Sequence, residues 1–183
     1  MLNTIIQALY FFLPAYAANA APVIFARFNW WAFLSIPVDL NLKIGGQPLF
    51  GLTKTWRGIL SGVLAGVAVS LIQFLVHEVF PAREYLYLFR YSIEGSIALG
   101  LLMGLGEGMG DLAKSFVKRR LKLKSGAAYF PLDQTSFIGA LLLSFIVYIP
   151  SAGHIWAILL ISPFIPVIAN LIAYRAGLKK VWW

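Results

Sequence analysis

Three stretches of this chain, residues 1–26, 58–76 and 134–174, contain no Asp, Glu, Lys or Arg. A helix on a soluble protein keeps a polar face, whereas these stretches are apolar all round, as lipid-embedded segments are. About 20 such residues cross the hydrocarbon core of a bilayer. The hydrophobic windows predict five transmembrane helices, over 4–25, 58–80, 91–112, 132–149 and 155–174, the fourth of them short and opening on Asp133. Pro14 and Pro22 interrupt the first and Pro163 and Pro166 the fifth. Lipid tolerates such breaks where neighbouring helices, side chains or water satisfy the freed backbone groups, which suggests a bundle with an internal cavity. Gly58, Gly62 and Gly66 in the second helix, and Gly100, Gly104 and Gly108 in the third, recur every four residues. Each set lines one face and predicts close helix packing.

Composition supports an all-α integral membrane protein with a single embedded domain over residues 1–183. The chain is 60% hydrophobic and only 12% charged, too apolar for an ordinary soluble domain. Six Trp, eight Tyr and fourteen Phe suit the headgroup level of a membrane as well as a core. The absence of Cys removes disulfides, thiolate nucleophiles and cysteine zinc sites. Residues 15–21 (AYAANAA) offer signal-peptide cleavage sites, but no basic residue precedes the apolar run and Arg27 follows it, so an uncleaved first helix is expected.

Charge sets the expected topology. Lys and Arg number four in residues 27–57, two in 81–90, six in 113–131 and three in the tail. With five spans the first, third and fourth groups share a side, and positive residues stay cytoplasmic. The N-terminus is then outside and the C-terminus cytoplasmic, with two functional cytoplasmic loops near 27–57 and 113–131.

The second of these loops carries the candidate chemistry. Asp111 and Asp133 bracket Lys114, Lys118, Arg119, Arg120, Lys122 and Lys124. If the third helix continues past the membrane, Glu107, Asp111, Ser115 and Lys118 share a face. Asp111 could simply pair with Lys114 or Lys118, the basic run could be a membrane anchor, and Asp133 could be a helix N-cap. Magnesium, however, is commonly held by one or two carboxylates plus substrate phosphates, and the basic residues suit those phosphates. Lys54, Thr55 and Arg57 precede or open the second helix, whose free N–H groups also favour an anion. Asn19, inside the first span, either bridges helices or enters the site. His77 and His154 lie too far apart in this topology to form a simple site.

Four segments together resemble the CDP-archaeol synthase family, which is related to the CDP-diacylglycerol synthases: LPAYAANAAPV at 13–23, PVD at 37–39, FGLTKTWRG at 50–58, and GDLAKSFVKRRLKLKSGAAYFPLDQTSFIGALL at 110–142. The longest resembles the broader cytidylyltransferase signature, S-x-x-K-R followed by D-x-x-D. The resemblance implies magnesium-dependent transfer of CMP from CTP to a lipid phosphate, with release of pyrophosphate, in phospholipid biosynthesis. It implies Asp111 and Asp133 as metal ligands, Ser115, Lys118 and Arg119 as phosphate contacts, and Lys54, Thr55 and Arg57 as a facing phosphate element. Asn19 and Asp39 match N-terminal motifs. The last motif departs from the family's D-Q-x-D: this chain reads Asp133, Gln134, Thr135, Ser136. Ser136 is a poorer metal ligand than a carboxylate, so either the second acid is dispensable, or Glu107 compensates from the facing helix, or activity is impaired.

The expected setting is the cell membrane, with a cytoplasmic active site, CTP and a lipid phosphate as partners, a homo-oligomer as a further option, and no nucleic acid. A CDP-alcohol phosphotransferase would need a D-G-x-x-A-R run, which is absent. A transporter is less well matched, because no internal repeat is visible and the charged candidates cluster at one interface. A noncatalytic binder of anionic lipid is the remaining alternative.

Overall fold

In the computed structural model, which describes residues 1–80 and 84–178, the first apolar segment is two helices, α1 (Leu2–Phe11) and α2 (Leu13–Arg27), bent by 48°. Pro14 causes the bend, since it has no N–H for the Tyr10 carbonyl and its ring crowds that oxygen. The Tyr10 carbonyl instead accepts a backbone N–H at the break and the buried Gln73 amide of the next helix. Pro22, by contrast, lies inside α2 without ending it.

Thr55 caps α3 (Trp56–Val79), its hydroxyl accepting the Gly58 N–H at 3.3 Å. Ser92 caps α4 (Ile93–Arg120) in the same way, accepting from Gly95 at 3.1 Å. The 28 residues of α4 run about 42 Å, longer than the roughly 30 Å hydrocarbon core, so the helix carries its basic end beyond the apolar layer. Between α2 and α3 a two-residue hairpin forms, β1 (Lys43–Ile44) antiparallel to β2 (Gln47–Pro48). The chain ends with α5 (Phe137–Ser144), α6 (Ala152–Ile161) and α7 (Phe164–Arg175).

Among the described residues, α3 and the joined α6–α7 are long and apolar enough to cross a membrane, and the bent α1–α2 pair would make a third such span. The expected fourth helix is corrected in two respects. Only eight residues of 132–149 are α-helical, about 12 Å, too short to span alone. Asp133 sits in a 3-10 turn, Leu132–Gln134, and so does not cap an α-helix. The segment nevertheless runs the depth of the bundle. Ser136 lies against Gly110 near the basic end, while Tyr148 stacks on Phe89 at the opposite end, with ring centroids 5.7 Å apart.

Glycine packing is divided among three seams. Gly62 approaches the Ala18 carbonyl of α2, and a Cβ there would lie 3.0 Å from it. Gly66, Gly100 and Gly104 bring α3 and α4 into backbone contact. On another face of α4, Gly106 and Gly110 meet Gly139 and Ser136 at the start of α5, a seam the four-residue repeats did not single out. The contacts run in opposite chain order, so α2, α3, α4 and α5 alternate in direction. Alongside α1–α2, in the same direction, lie α6 and α7, held by His154 to Gln7 at 3.1 Å and Tyr16 to Ser162 at 2.8 Å. Buried Phe11, Phe12, Leu99, Met103, Phe137 and Ile158 fill the space between them.

This arrangement gathers Arg27, Lys54, Arg57, the basic run 114–124 and Arg175 at one end, with Arg90 at the other. Arg83, Lys179 and Lys180, which entered the charge count, lie outside the described residues.

A methyl group added at Gly106 would overlap the Gly139 carbonyl, whereas one at Gly108 would meet Ile59 at an ordinary 3.7 Å. Gly106→Ala is expected to cost about 1–3 kcal/mol by overpacking, and Gly108→Ala close to nothing. Thermal unfolding of the two purified variants in detergent checks this, and equal melting temperatures would contradict the α4–α5 contact.

Candidate active site

Helical spacing puts Glu107, Asp111, Ser115 and Lys118 on one side of α4, and the helix does continue through all four. Asp111 is the hub. Its Oδ2 accepts from Lys54 Nζ at 2.5 Å and its Oδ1 pairs with Lys114 Nζ at 3.1 Å. Lys114 also donates to the Asp133 carbonyl at 3.1 Å, so one ammonium ties α4 to the turn before α5. The Asp133 side chain takes Lys118 on Oδ1 at 2.6 Å and the Tyr129 N–H on Oδ2 at 2.6 Å. Lys118, further held by the Ala127 carbonyl, is itself buried. Three lysines from two segments thus neutralise two carboxylates, as partly buried charges require.

One turn deeper along α4, Glu107 is buried at 4% exposure. Asn19 Nδ2 donates to its Oε1 at 2.6 Å, and Ser136 hydrogen-bonds the same carboxylate. Asn19 therefore does link helices, and it links them at a site acid.

The loop between α2 and α3 supplies Lys54 and is built by its own polar contacts. Asp39 accepts three backbone N–H groups, from Asn41 at 3.1 Å, Phe50 at 2.8 Å and Gly51 at 3.1 Å. Burial alone would raise the pKa of this carboxyl, but the backbone donors outweigh it and hold the group below the usual carboxylate range. Backbone bonds from Val38 to the Lys54 carbonyl and from Trp56 to the Ile36 carbonyl lock the end of the loop beside α3. Arg120 clasps the hairpin through the Ile44 and Pro48 carbonyls, at 3.0 and 2.6 Å.

The structure therefore brings Lys54, Asp111, Lys118 and Asp133 together, with Asn19 and Glu107 adjoining. The other expected residues are placed differently. Thr55 is the α3 cap, and Ser115 donates to the Asp111 carbonyl at 2.8 Å within the helix. Asp39 shapes the loop. Arg119 is buried and braces the basic turn through the Lys124 carbonyl at 2.9 Å. Arg57 reaches Asn29 at 3.5 Å, away from the acids. The pairing of Asp111 with Lys114 is one of the alternatives read from the sequence, whereas the reach of Lys114 to the Asp133 carbonyl and the clasp of Arg120 were not foreseen. Lys114 had a signal, its i,i+3 spacing from Asp111, whereas the hairpin carbonyls that Arg120 binds leave none in a sequence.

The oxygen donors here suit a hard cation. Among the described residues no three or more His, Cys, Asp or Glu are grouped so that they could hold a metal ion together. Asp111 and Asp133 keep 33% and 27% of their side chains exposed, so an ion would have one or two carboxylates and take its other ligands from phosphate and water. That is the ligand set magnesium favours over an all-protein cage.

Comparison with known proteins covers the whole chain. The CarS-like CDP-archaeol synthase family model matches residues 1–183. The chain is 38% identical over 184 residues to the CDP-archaeol synthase of Thermococcus kodakarensis, covering 100% of this chain and 98% of that protein. It is 37% identical to that of Methanococcus maripaludis, covering 100% and 99%, and 34% identical to that of Pyrococcus abyssi, covering 100% of both. The solved structure of an intramembrane enzyme for archaeal membrane lipid biosynthesis matches with a TM-score of 0.63 at 29% identity, over 96% of this chain and 95% of that one.

Asp39→Ala is expected to leave three loop N–H groups without their acceptor, at about 1–3 kcal/mol for each that stays buried. The loop should then become cleavable in limited proteolysis while the helices persist. Because its pKa is lowered on folding, the stabilisation by Asp39 is present at neutral pH and is lost as pH falls through that lowered value. Proteolytic protection of the wild-type loop should therefore survive mild acid, and loss of protection above about pH 5 would contradict this account.

Proposed function

Because the chain belongs to the CDP-archaeol synthase family, we propose that it transfers CMP from CTP to an archaetidic-acid-like or phosphatidic-acid-like lipid phosphate, forming a CDP-activated lipid and pyrophosphate. The chain is a membrane-embedded cytidylyltransfer enzyme of lipid biosynthesis. The observation that carries the reading is the lysine-bridged pair of Asp111 and Asp133 at the basic end of the bundle.

The acceptor needs no activating base, because a lipid phosphomonoester is already anionic at neutral pH. What it needs is alignment with the α-phosphate and neutralisation of the departing pyrophosphate. Lys54, Lys114 and Lys118 are positioned to neutralise that charge, since each is held on a carboxylate or carbonyl from which it can turn to a phosphate oxygen. Asp111 and Asp133 would hold magnesium, which joins the triphosphate to the protein and lowers its charge. The order imposed on the loop by Asp39 and Arg120 keeps Lys54 facing α4, so that the phosphate-binding groups are arranged before CTP arrives.

The proposed topology has five crossings, with the N-terminus outside, the C-terminus cytoplasmic and the site at the cytoplasmic face of the cell membrane. The alternating helix directions and the concentration of basic residues at one end support it. The fourth crossing would combine α5 with the non-helical residues 145–150, which are packed against other helices, where irregular backbone is tolerated.

Purified protein in nanodiscs, given CTP, magnesium and a panel of lipid phosphates, is expected to release pyrophosphate, and chelation of magnesium to stop it. Asp111→Asn should lower turnover by about 100-fold or more, in line with loss of one transition-state charge contact. It should also lower the melting temperature, because Lys54 and Lys114 lose their carboxylate, so turnover is compared where the variant is still folded. Wild-type incorporation of labelled CTP into lipid by this variant would sink the metal assignment.

A further inference from the structure

Glu107 is a buried carboxylate whose bonds are to neutral groups. Asn19 and Ser136 donate to it, and among the described residues no Lys or Arg forms an ion pair with it. Asp111 and Asp133, by contrast, each have lysine partners. The Lys114 ammonium acts on it only from a distance. An acid taken out of water without a direct cation partner is costly, and in membrane segments such residues mark ion or substrate sites. Glu107 lies one helical turn from Asp111 on the same side of α4. The Asn19 amide and the Ser136 hydroxyl use donors on the Glu107 carboxylate, which keeps its remaining lone pairs for a cation.

The seam between α4 and α5 shows why Ser136 matters. Gly110 and Ser136 touch through their backbones, as do Gly106 and Gly139. Side chains 107 and 136 therefore meet across a fixed contact, and an acid at position 136 would point to the same place as Glu107. Carboxylates on both would face each other in a desolvated seam, where like charges cannot both ionise cheaply.

We propose that Glu107 is a cation-binding carboxylate of this site, carried by α4, and that Ser136 is its positioning partner, so that the acid can be exchanged across the seam. The inference rests on the cytidylyltransferase reading for its cation and extends it to a residue that the D-Q-T-S motif leaves uncovered.

The test measures binding of Mn2+, standing in for magnesium, to nanodisc-embedded protein in the presence of CTP by electron paramagnetic resonance, with thermal unfolding alongside. Glu107→Gln keeps an acceptor for Asn19 and so should keep the wild-type melting temperature, yet weaken Mn2+ binding by about tenfold or more. Ser136→Asp should weaken it or lower the melting temperature by repulsion. Glu107→Ala should lose binding, and Glu107→Ala combined with Ser136→Asp should regain it to within a few-fold of wild type, a reversal that independent sites would not give. Wild-type Mn2+ affinity in Glu107→Gln, a double variant no better than Glu107→Ala, or a wild-type protein that binds no Mn2+ overturns the proposal. Wild-type protein that binds Mn2+ with CTP but releases no pyrophosphate with any lipid phosphate would count against the enzymatic reading alone, since the exchange of the acid is read from binding.

Discussion

Two helices can touch through their backbones only where side chains are absent, and α4 has such positions on two faces. Gly100 and Gly104 bring it against α3, and Gly106 and Gly110 bring it against the start of α5. With α4 pinned from both sides, the side chains of its next turns have little freedom in where they project. Lys54 reaches Asp111 because the first turn of α3 sits beside α4, and Lys114 reaches the Asp133 carbonyl because α5 begins against Gly110. In lipid, where no hydrophobic force drives helices together, this close approach is itself a main source of cohesion. The same contacts therefore hold the bundle and set the geometry of its charges.

The charges obey a second constraint. Six cations and two acids cluster in residues 110–136, and the acids are stable at the membrane edge because lysines meet them. Under the proposed reading, a polyphosphate and a divalent ion would exchange partners with this site: the lysines would gain phosphate oxygens as the carboxylates gain the ion. Each charge of the two acids would then have a partner in both arrangements, which avoids one large desolvation step.

Periodicity made much of this legible in the sequence. The acid face of α4 followed from the spacing of Glu107, Asp111, Ser115 and Lys118, and the apolar windows located α3 and α6–α7. What stayed hidden has physical causes. Of the two breaks expected from proline in the first window, the bend at Pro14 is present, but α2 passes Pro22 unbroken, because sequence does not show which proline a packed helix absorbs. The fourth window is apolar enough for a span, yet its last residues pack as irregular backbone against aromatic rings, and hydropathy does not report backbone form. Asp39, Arg57 and Arg119 carry charges that suit a phosphate and metal site, but Asp39 and Arg119 are buried on backbone partners and Arg57 turns to the Asn29 side chain, placements that depend on tertiary contacts.

The break at Phe12 divides what hydropathy presents as one rod into two pieces with separate duties. Above it, α1 packs beside α6 and against the aromatic residues at the far end, remote from any acid of the site. Below it, α2 packs on α3 and α4 and delivers Asn19 to Glu107. Gln73 stands at the joint, fastening the Tyr10 carbonyl that the bend releases. The first piece serves as a structural strut for the end away from the acids, and the second fixes the place of the Asn19 amide on Glu107.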